Sequence, residues 1–198
     1  MPKVGIEPIR KKQLIEATLR SIGEHGLQGT TINTISRFSG MSSGIISHYF
    51  GGKQGLIEAT VRYLLDQLKV TLLQHISQAD TSPQQRLMMI VEANFTNIQQ
   101  SDAATRTWLS FWAQAMHDPD LAKLQKINSQ RLLSNLRYSY KKMMPLDKAS
   151  DAAKMTAAMI DGFWLRSALS DSSTVDFKEA EVLCKRFIDT LILQYGVH

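Results

Sequence analysis

"SGMSSGIISHYF", residues 39–50, is a polar, glycine-containing stretch in a chain that otherwise has the pattern of amphipathic helices. It places four serines and two glycines around the apolar Ile45, Ile46 and Phe50. The stretch is too polar for a protein core. It is also too short for an independent helix, because isolated helices of fewer than about 12 residues are marginal in water. We therefore expect it to fold only as part of a larger helical unit.

The stretch completes a predicted helix-turn-helix. Residues 31–39 follow a threonine N-cap and carry the apolar spacing of a first helix. The turn is residues 39–41, and residues 42–50 form the second helix. Two helices joined by a short turn that contains glycine define this motif, and Gly40 can take the positive φ that a sharp turn requires. A preceding helix, predicted from about residue 9 to a stop near Gly26, completes a three-helix core.

The outward side of the second helix has the chemistry of a DNA-reading surface. We expect Met41, Ile46 and Phe50 to pack against the first helix, which leaves the other side exposed. Small hydroxyls can bond phosphates or base edges, and Ile45 can contact a thymine methyl group. The helix start adds backbone N–H groups that bind phosphate. Serine-rich helix starts are usually only solvated, but the combination here favours DNA.

This segment resembles the DNA-binding signature of the TetR family of repressors. The resemblance covers about residues 9–58 and is carried by "TTINTISRFSGMSSGIISHYFGGKQGLI", with its paired threonines, glycine turn and terminal His-Tyr-Phe followed by Lys. It implies an N-terminal DNA-binding domain over residues 1–55 and a larger effector-binding and dimerisation domain over residues 56–198. The DNA contacts that it implies, together with the exposed-face argument, are Thr31, Ser42, Ser43, Gly44, Ile45, Ser47, His48, Tyr49 and Lys53.

The distribution of charge agrees with a nucleic-acid partner at the amino end. Residues 1–58 contain seven Lys or Arg against four Glu, whereas the remaining 140 residues contain 16 against 14. A basic excess attracts phosphate, although a charged surface is most often merely solvated. Overall, 43% hydrophobic and 21% charged residues place the chain among globular proteins.

The rest of the chain predicts an all-α fold with about nine helices in total. Strand signals are nearly missing, and helical periodicity dominates. Capping patterns mark several starts: Ser82-Pro83 with Gln85, Asp118-Pro119, Asp147, and Asp176 with Glu179. The longer helices are predicted at 53–77, 83–100, 102–117, 119–142, 148–170 and 177–195.

An aromatic group in the second part of the chain suggests a site for a small cation. Three of its members share one face of a predicted helix, and a fourth tryptophan comes later in "MIDGFWLRSALS". A quaternary ammonium ion cannot donate N–H bonds, so aromatic faces recognise it, with an acidic side chain (Asp161 or Glu92) as counter-charge. Aromatic residues at this spacing are more often core. The predicted ligand-binding residues are Trp108, Phe111, Trp112, Trp164 and Asp161.

The whole chain further resembles the branch of the family that responds to choline and controls glycine betaine synthesis. The matching stretches include "MPKVGIEPIRKKQLIEATL", "WLSFWAQAMHDP" and "IDGFWLRSALS". This resemblance implies choline as effector, osmoprotection as the regulated process, and a homodimer formed by the last two long helices. One alternative is a repressor that senses other lipophilic cations. Another is an all-α enzyme or binding module whose first three helices only look like a DNA reader.

The sequence gives little support for a nucleotide-binding loop, a metal site or a catalytic nucleophile. Gly52-Lys53 lacks both the earlier glycine and the following Ser or Thr of a phosphate-binding loop. Carboxylates near His117 form a helix start at Asp118 rather than a metal site. No nucleophile elbow occurs, and Cys184 has no visible base partner. We therefore predict no enzyme activity, no cofactor and no metal. One cysteine, no apolar run of about 20 residues and no secretory signal predict the cytoplasm as its compartment.

Overall fold

The computed structural model describes residues 5–76, 81–170 and 173–196, and all regular structure within these ranges is helical. The all-α prediction is confirmed. None of the described helices is long and apolar enough to cross a membrane. The ten described helices are α1 (Ile6–Gly29), α2 (Ile32–Ser39), α3 (Ser43–Phe50), α4 (Lys53–Ile76), α5 (Pro83–Asn94), α6 (Asn97–Gln100), α7 (Asp102–Ala115), α8 (Pro119–Tyr140), α9 (Leu146–Ala168) and α10 (Ser173–Tyr195).

Packing divides the chain into two compact units. The first unit is Met1–Asp66 with Ser101–Gln125, and the second unit is Gln67–Gln100 with Lys126–His198. The first unit thus joins the amino-terminal helices to α7 and the start of α8. These units describe packing, whereas the boundary at residue 55 concerns function and stays a prediction.

In the first unit, α1, α2 and α3 enclose a small core. Leu14, Ile35, Ile46 and Leu56 are fully buried there. Gly40 adopts φ 67° and ψ 16° at the end of α2, as the predicted turn requires. The predicted helix-turn-helix is confirmed, with α3 beginning one residue later than expected. The predicted stop near Gly26 is a kink within α1, where Gly26 has φ 67° and ψ 174°.

A close helix crossing fixes α7 against α1 in the first unit. A Cβ atom placed on Gly23 would lie 3.2 Å from both the Cα and the Cβ of Ala103, so glycine permits this approach. At the end of α7 the chain turns into α8, where Asp118 Oδ1 accepts hydrogen bonds from the backbone N–H groups of Asp120 and Leu121. The predicted Asp118-Pro119 start is confirmed. The other carboxylate oxygen, Oδ2, accepts a 2.8 Å hydrogen bond from Gln54 Nε2 on α4.

In the second unit, α9 and α10 pack along each other, with α5 and α6 against α10. A buried hydrogen bond of 2.7 Å joins the hydroxyls of Tyr140 and Thr156. Lys185 Nζ bridges the carboxylates of Glu92 and Glu181 at 2.7 and 2.6 Å. Because Glu92 already has this cation, it is a poorer counter-charge for a ligand than the sequence suggested.

Some helix boundaries in the structure differ from those predicted from the sequence. The predicted helix 83–100 is interrupted after α5, where the buried Phe95 leaves the helical conformation (φ −114°, ψ 28°). The predicted start near 177 is wrong, because α10 already begins at Ser173. Asp147 lies in the first turn of α9 rather than before it. Residue 77, the predicted end of α4, lies outside the described residues.

Candidate functional site

The start of α2 is fixed by a reciprocal capping box. Thr31 Oγ1 accepts a 3.1 Å hydrogen bond from the Thr34 backbone N–H, and Thr34 Oγ1 accepts a 2.8 Å bond from the Thr31 backbone N–H. Two N–H groups that the helix cannot satisfy thereby gain partners. The Thr31 side chain is exposed, so its hydroxyl holds the start of α2 while one side of it faces solvent.

The second helix of the motif, α3, presents one polar face to solvent. Its buried anchor is Ile46, which has no exposed surface. The exposed members of the predicted set on or next to α3 are Ser42, Ser43, Gly44, Ser47 and His48. Ser42 precedes the first helical residue and makes no side-chain cap bond, so its hydroxyl is not used in starting the helix.

Two other predicted DNA contacts lie deeper than the sequence suggested. Ile45 and Tyr49 are half-buried and pack against the core cluster of α1–α3. The sequence had placed Ile45 on the outer side, but the short α3 sinks far enough between its neighbours to cover part of that side chain. Lys53, at the start of α4, is also half-buried, and its Nζ lies 3.5 Å from the carbonyl oxygen of Leu27.

The first turns of α1 add two charged residues beside α3 that the sequence reasoning missed. Lys11 Nζ lies 5.7 Å from the centre of the Tyr49 ring and 2.7 Å from Glu7 Oε1. The hydrogen bond and charge of Lys11 lower the pKa of Glu7, and the charge of His48 lowers it further. The only sequence signal was a Glu and a Lys four residues apart, which is common on any helix surface.

The predicted aromatic face on α7 exists within the first unit. The ring centres of Trp108 and Phe111 are 5.8 Å apart with an interplanar angle of 67°, and those of Trp108 and Trp112 are 6.3 Å apart. Trp108 and Phe111 are almost wholly buried, whereas Trp112 is half-buried. These separations are typical of packed aromatic pairs. Trp112 is therefore the member with surface left for a ligand.

The remaining predicted ligand residues are on α9, in the second unit. Trp164 is buried and lies 5.8 Å from the ring of Phe177, which in turn lies 6.3 Å from Phe95. Asp161 keeps an exposed side chain, yet desolvation by surrounding protein raises its pKa to about 6. A carboxylate in a concave surface has both properties, since water reaches it while protein atoms displace part of its hydration. Such a group gains from a cationic partner.

Catalysis or metal binding would use His, Cys, Asp or Glu side chains, and the structure shows how these are placed. Within the described ranges, no three His, Cys, Asp or Glu side chains are grouped to hold a metal ion. Cys184 is fully buried, and burial raises the pKa of its thiol to about 12, which suppresses the reactive thiolate.

Comparison with known proteins covers nearly the whole chain. A family model described as bacterial regulatory proteins, tetR family, matches residues 14–60, and one described as BetI-type transcriptional repressor, C-terminal, matches residues 83–193. The HTH-type transcriptional regulator BetI 2 of Chromohalobacter salexigens is 46% identical over 100% of this chain and 96% of its own length. The HTH-type transcriptional regulator BetI of Burkholderia thailandensis is 46% identical over 97% of this chain and 98% of its own.

A solved structure shares the fold. A transcriptional regulator from Saccharomonospora viridis, solved in complex with choline, superposes with a TM-score of 0.78 over 96% of this chain and 100% of its own. Its sequence is 16% identical, so the similarity concerns the fold alone.

Proposed function

The chain belongs to the TetR family of bacterial regulators and has a BetI-type repressor domain at its carboxyl end, and from this premise we propose that choline controls its binding to operator DNA. Its relatives are transcriptional regulators and not enzymes. The regulated genes in this proposal are those for synthesis and transport of glycine betaine, an osmoprotectant. The observation that carries the proposal is full-length similarity to BetI regulators at 46% identity.

The DNA interface in this proposal is the exposed face of α3 with the residues that flank it. The face is short, polar and held outward by Ile46, so its backbone can approach a major groove closely at Gly44. Hydroxyls and His48 then reach phosphates or base edges. The predicted contacts are retained as Thr31, Ser42, Ser43, Gly44, Ile45, Ser47, His48, Tyr49 and Lys53. We assign the hydroxyl of the half-buried Tyr49 to a phosphate contact, since its ring packs against the core.

Choline is the proposed effector because the candidate residues match a quaternary ammonium ion. Such an ion binds aromatic faces and a carboxylate, and it needs no hydrogen-bond acceptor. Trp112 and Asp161 both retain accessible surface, and the raised pKa of Asp161 means that a cation would stabilise its charged form. Trp108, Phe111 and Trp164 are also retained as proposed ligand residues. A repressor for other lipophilic cations would use the same chemistry.

A homodimer is the proposed assembly. Along α9 and its C-cap residue Leu169, one helical face is exposed in the single chain. Its members are Met155, Ala158, Gly162, Leu165 and Leu169. On α10, Val182 and Leu193 are also exposed, the latter by 81%. An apolar helical face of this kind is stabilised by covering it with a second copy. Two subunits would place their α3 helices in successive major grooves, about 34 Å apart.

The proposed mechanism requires two arrangements of the protein with different affinities for choline. A ligand that bound both arrangements equally would shift nothing. The reading helix is followed directly by α4, through Gly51 and Gly52, so a displacement of α4 changes the setting of α3. The proposed compartment is the cytoplasm, where the operator is.

A gel-shift titration with and without choline tests this function. We expect nanomolar, salt-sensitive binding to an operator duplex, much weaker binding to random DNA, and a change in affinity when choline is added. A hydrophobic dye cation serves as the second ligand. A response to the dye alone would favour the lipophilic-cation sensor. Equal binding to operator and random DNA would refute the repressor.

A further inference from the structure

We propose that Glu7 competes with the DNA backbone for Lys11, so that this carboxylate occupies a phosphate position in the free protein and lowers operator affinity. The inference rests on the proposed DNA-binding function and deepens it. It makes Lys11 a further phosphate contact and Glu7 an internal brake on binding.

The geometry places a negative group where the reading helix needs a phosphate. Glu7 Oε1 is 2.7 Å from Lys11 Nζ, and that ammonium lies 5.7 Å from the ring centre of Tyr49. His48, whose ring is 5.0 Å from that of Tyr49, contributes to the low pKa of Glu7 through its charge. The carboxylate of Glu7 is therefore paired with an ammonium that lies next to the Tyr49 ring. Ammonium, imidazole and phenol groups can all bind phosphate.

The alternative explanation is an ordinary helix-surface ion pair. Lys12 and Glu16 form such a pair on the same helix, also four residues apart, with 3.7 Å between Nζ and Oε1. The described contacts of that pair include no group of α3. The Glu7–Lys11 pair differs because Lys11 contacts Tyr49 and Glu7 interacts with His48. The second pair thus provides a matched control.

DNA binding must either displace Glu7 or accept its repulsion. Both side chains are well exposed, 40% for Lys11 and 60% for Glu7, so the pair can open at little cost. A carboxylate left about 7 Å from a phosphate is repelled by an amount that corresponds to roughly three- to eightfold in affinity for a dielectric constant of about 40–80. Because a dimer has two such sites, the combined effect is on the order of tenfold or more.

The experiment measures operator affinity of full-length variants across a salt series. The probe is a duplex selected by the wild-type protein from a random-sequence pool. The variants are Glu7→Gln, Lys11→Gln, the double variant, and Glu16→Gln, which changes charge by the same amount on the same helix. Circular dichroism and thermal unfolding check that each variant keeps the wild-type fold.

We expect Glu7→Gln to bind about tenfold more tightly at low salt, with the gain shrinking as salt screens the repulsion. Lys11→Gln should weaken binding and reduce the slope of log affinity against log salt by about 0.9 per subunit. In the double variant, the loss of Glu7 should bring a much smaller gain. Glu16→Gln should change affinity less than Glu7→Gln at every salt concentration. Near 0.15 M salt its effect should be below about twofold, because the Debye length there is only about 8 Å.

Three outcomes would overturn the inference. They are an unchanged or lower affinity for Glu7→Gln, an equal gain for Glu16→Gln, and a full gain in the double variant. If the wild-type protein selects no duplex from the pool, the proposed function itself fails. If it selects one and Glu7→Gln is neutral, only the brake fails.

Discussion

Tyr49 has a packing role through its ring and a proposed DNA-contact role through its hydroxyl group. Removing the hydroxyl oxygen alone therefore tests the second role. Its ring packs against the α1–α3 core, while its hydroxyl is the proposed phosphate donor. Tyr49→Phe keeps the ring and should leave thermal stability nearly unchanged. Operator affinity should fall by at least about tenfold per subunit, because a hydrogen bond to a charged acceptor contributes roughly 1.5–3 kcal/mol. Gel shifts together with thermal unfolding measure both, and unchanged affinity would show that the hydroxyl does not touch DNA.

Asp161 predicts a pH dependence of choline binding. Desolvation by surrounding protein raises its pKa from 3.8 to about 6, so the folded protein favours the neutral acid. The contribution of this group to stability is therefore greatest below about pH 4 and is lost as pH rises towards 6. A cationic ligand needs the ionised form, which predominates above pH 6.

We expect the apparent dissociation constant for choline to be constant from about pH 7 to 8 and to rise about tenfold by pH 5. Tryptophan fluorescence or calorimetry at several pH values measures this. Asp161→Asn should bind choline weakly at every pH and lose the dependence. A wild-type affinity that stays flat from pH 5 to 8 would exclude Asp161 as the counter-charge.

At the scale of the element, a glycine in α3 lowers the helix propensity of this segment but would let its backbone approach DNA closely. Gly44 lies in its first turn, is exposed, and would carry a Cβ atom no nearer than 4.0 Å to any other group of the protein. Gly44→Ala should therefore stabilise the fold by up to about 1 kcal/mol, since alanine favours helix. The added methyl group points into the proposed interface, so operator affinity should fall about tenfold or more. Calorimetry measures the change in stability, and gel shifts measure the change in operator affinity. A variant that is more stable but binds the operator as tightly as the wild type would contradict the prediction.

The helices themselves show which boundaries a sequence can specify. The Ser82-Pro83-Gln85 pattern predicted the start of α5 correctly, because the serine and glutamine close a complete capping box. Asp176 did not mark the start of α10, because a carboxylate within the first turn also interacts favourably with the helix dipole. An acidic residue near a start is thus compatible with either position. The break after α5 depends on burying Phe95, which is a tertiary effect.

The same distinction applies to the candidate site. The exposed hydroxyls of α3 followed from periodicity and from the turn at Gly40. The partial burial of Ile45 and Tyr49 could not be predicted in this way, because it depends on how closely α3 packs against its neighbours. Lys11 was also missed, since its proximity to Tyr49 arises from packing between α1 and α3. Local chemistry is therefore readable from spacing, whereas contacts between helices need coordinates.

At the scale of the whole molecule, Gly162 offers a test of the dimer that spares the protomer. A Cβ atom at this exposed position would meet nothing within 4 Å, so Gly162→Arg fits the isolated chain. In the proposed interface the guanidinium would be buried and unpaired, which costs several kcal/mol. We expect sedimentation to change from dimer to monomer, with operator affinity reduced at least a hundredfold.

The control for this variant is Asn97→Arg, which adds the same charge at an exposed position of α6. It should remain dimeric and bind DNA normally. A Gly162→Arg protein that still sediments as a dimer would place the interface away from the middle of α9.

The buried thiol of Cys184 can report opening of the fold around it. With no exposed surface and with a pKa of about 12, the sulfur reacts with a reagent such as Ellman's only when the fold opens around it. A molecule that binds the closed fold but not the opened one reduces the population of the opened form by a factor set by its concentration relative to its dissociation constant. Protection from modification therefore reads out occupancy by choline or by an operator duplex, with no label and no engineered reporter.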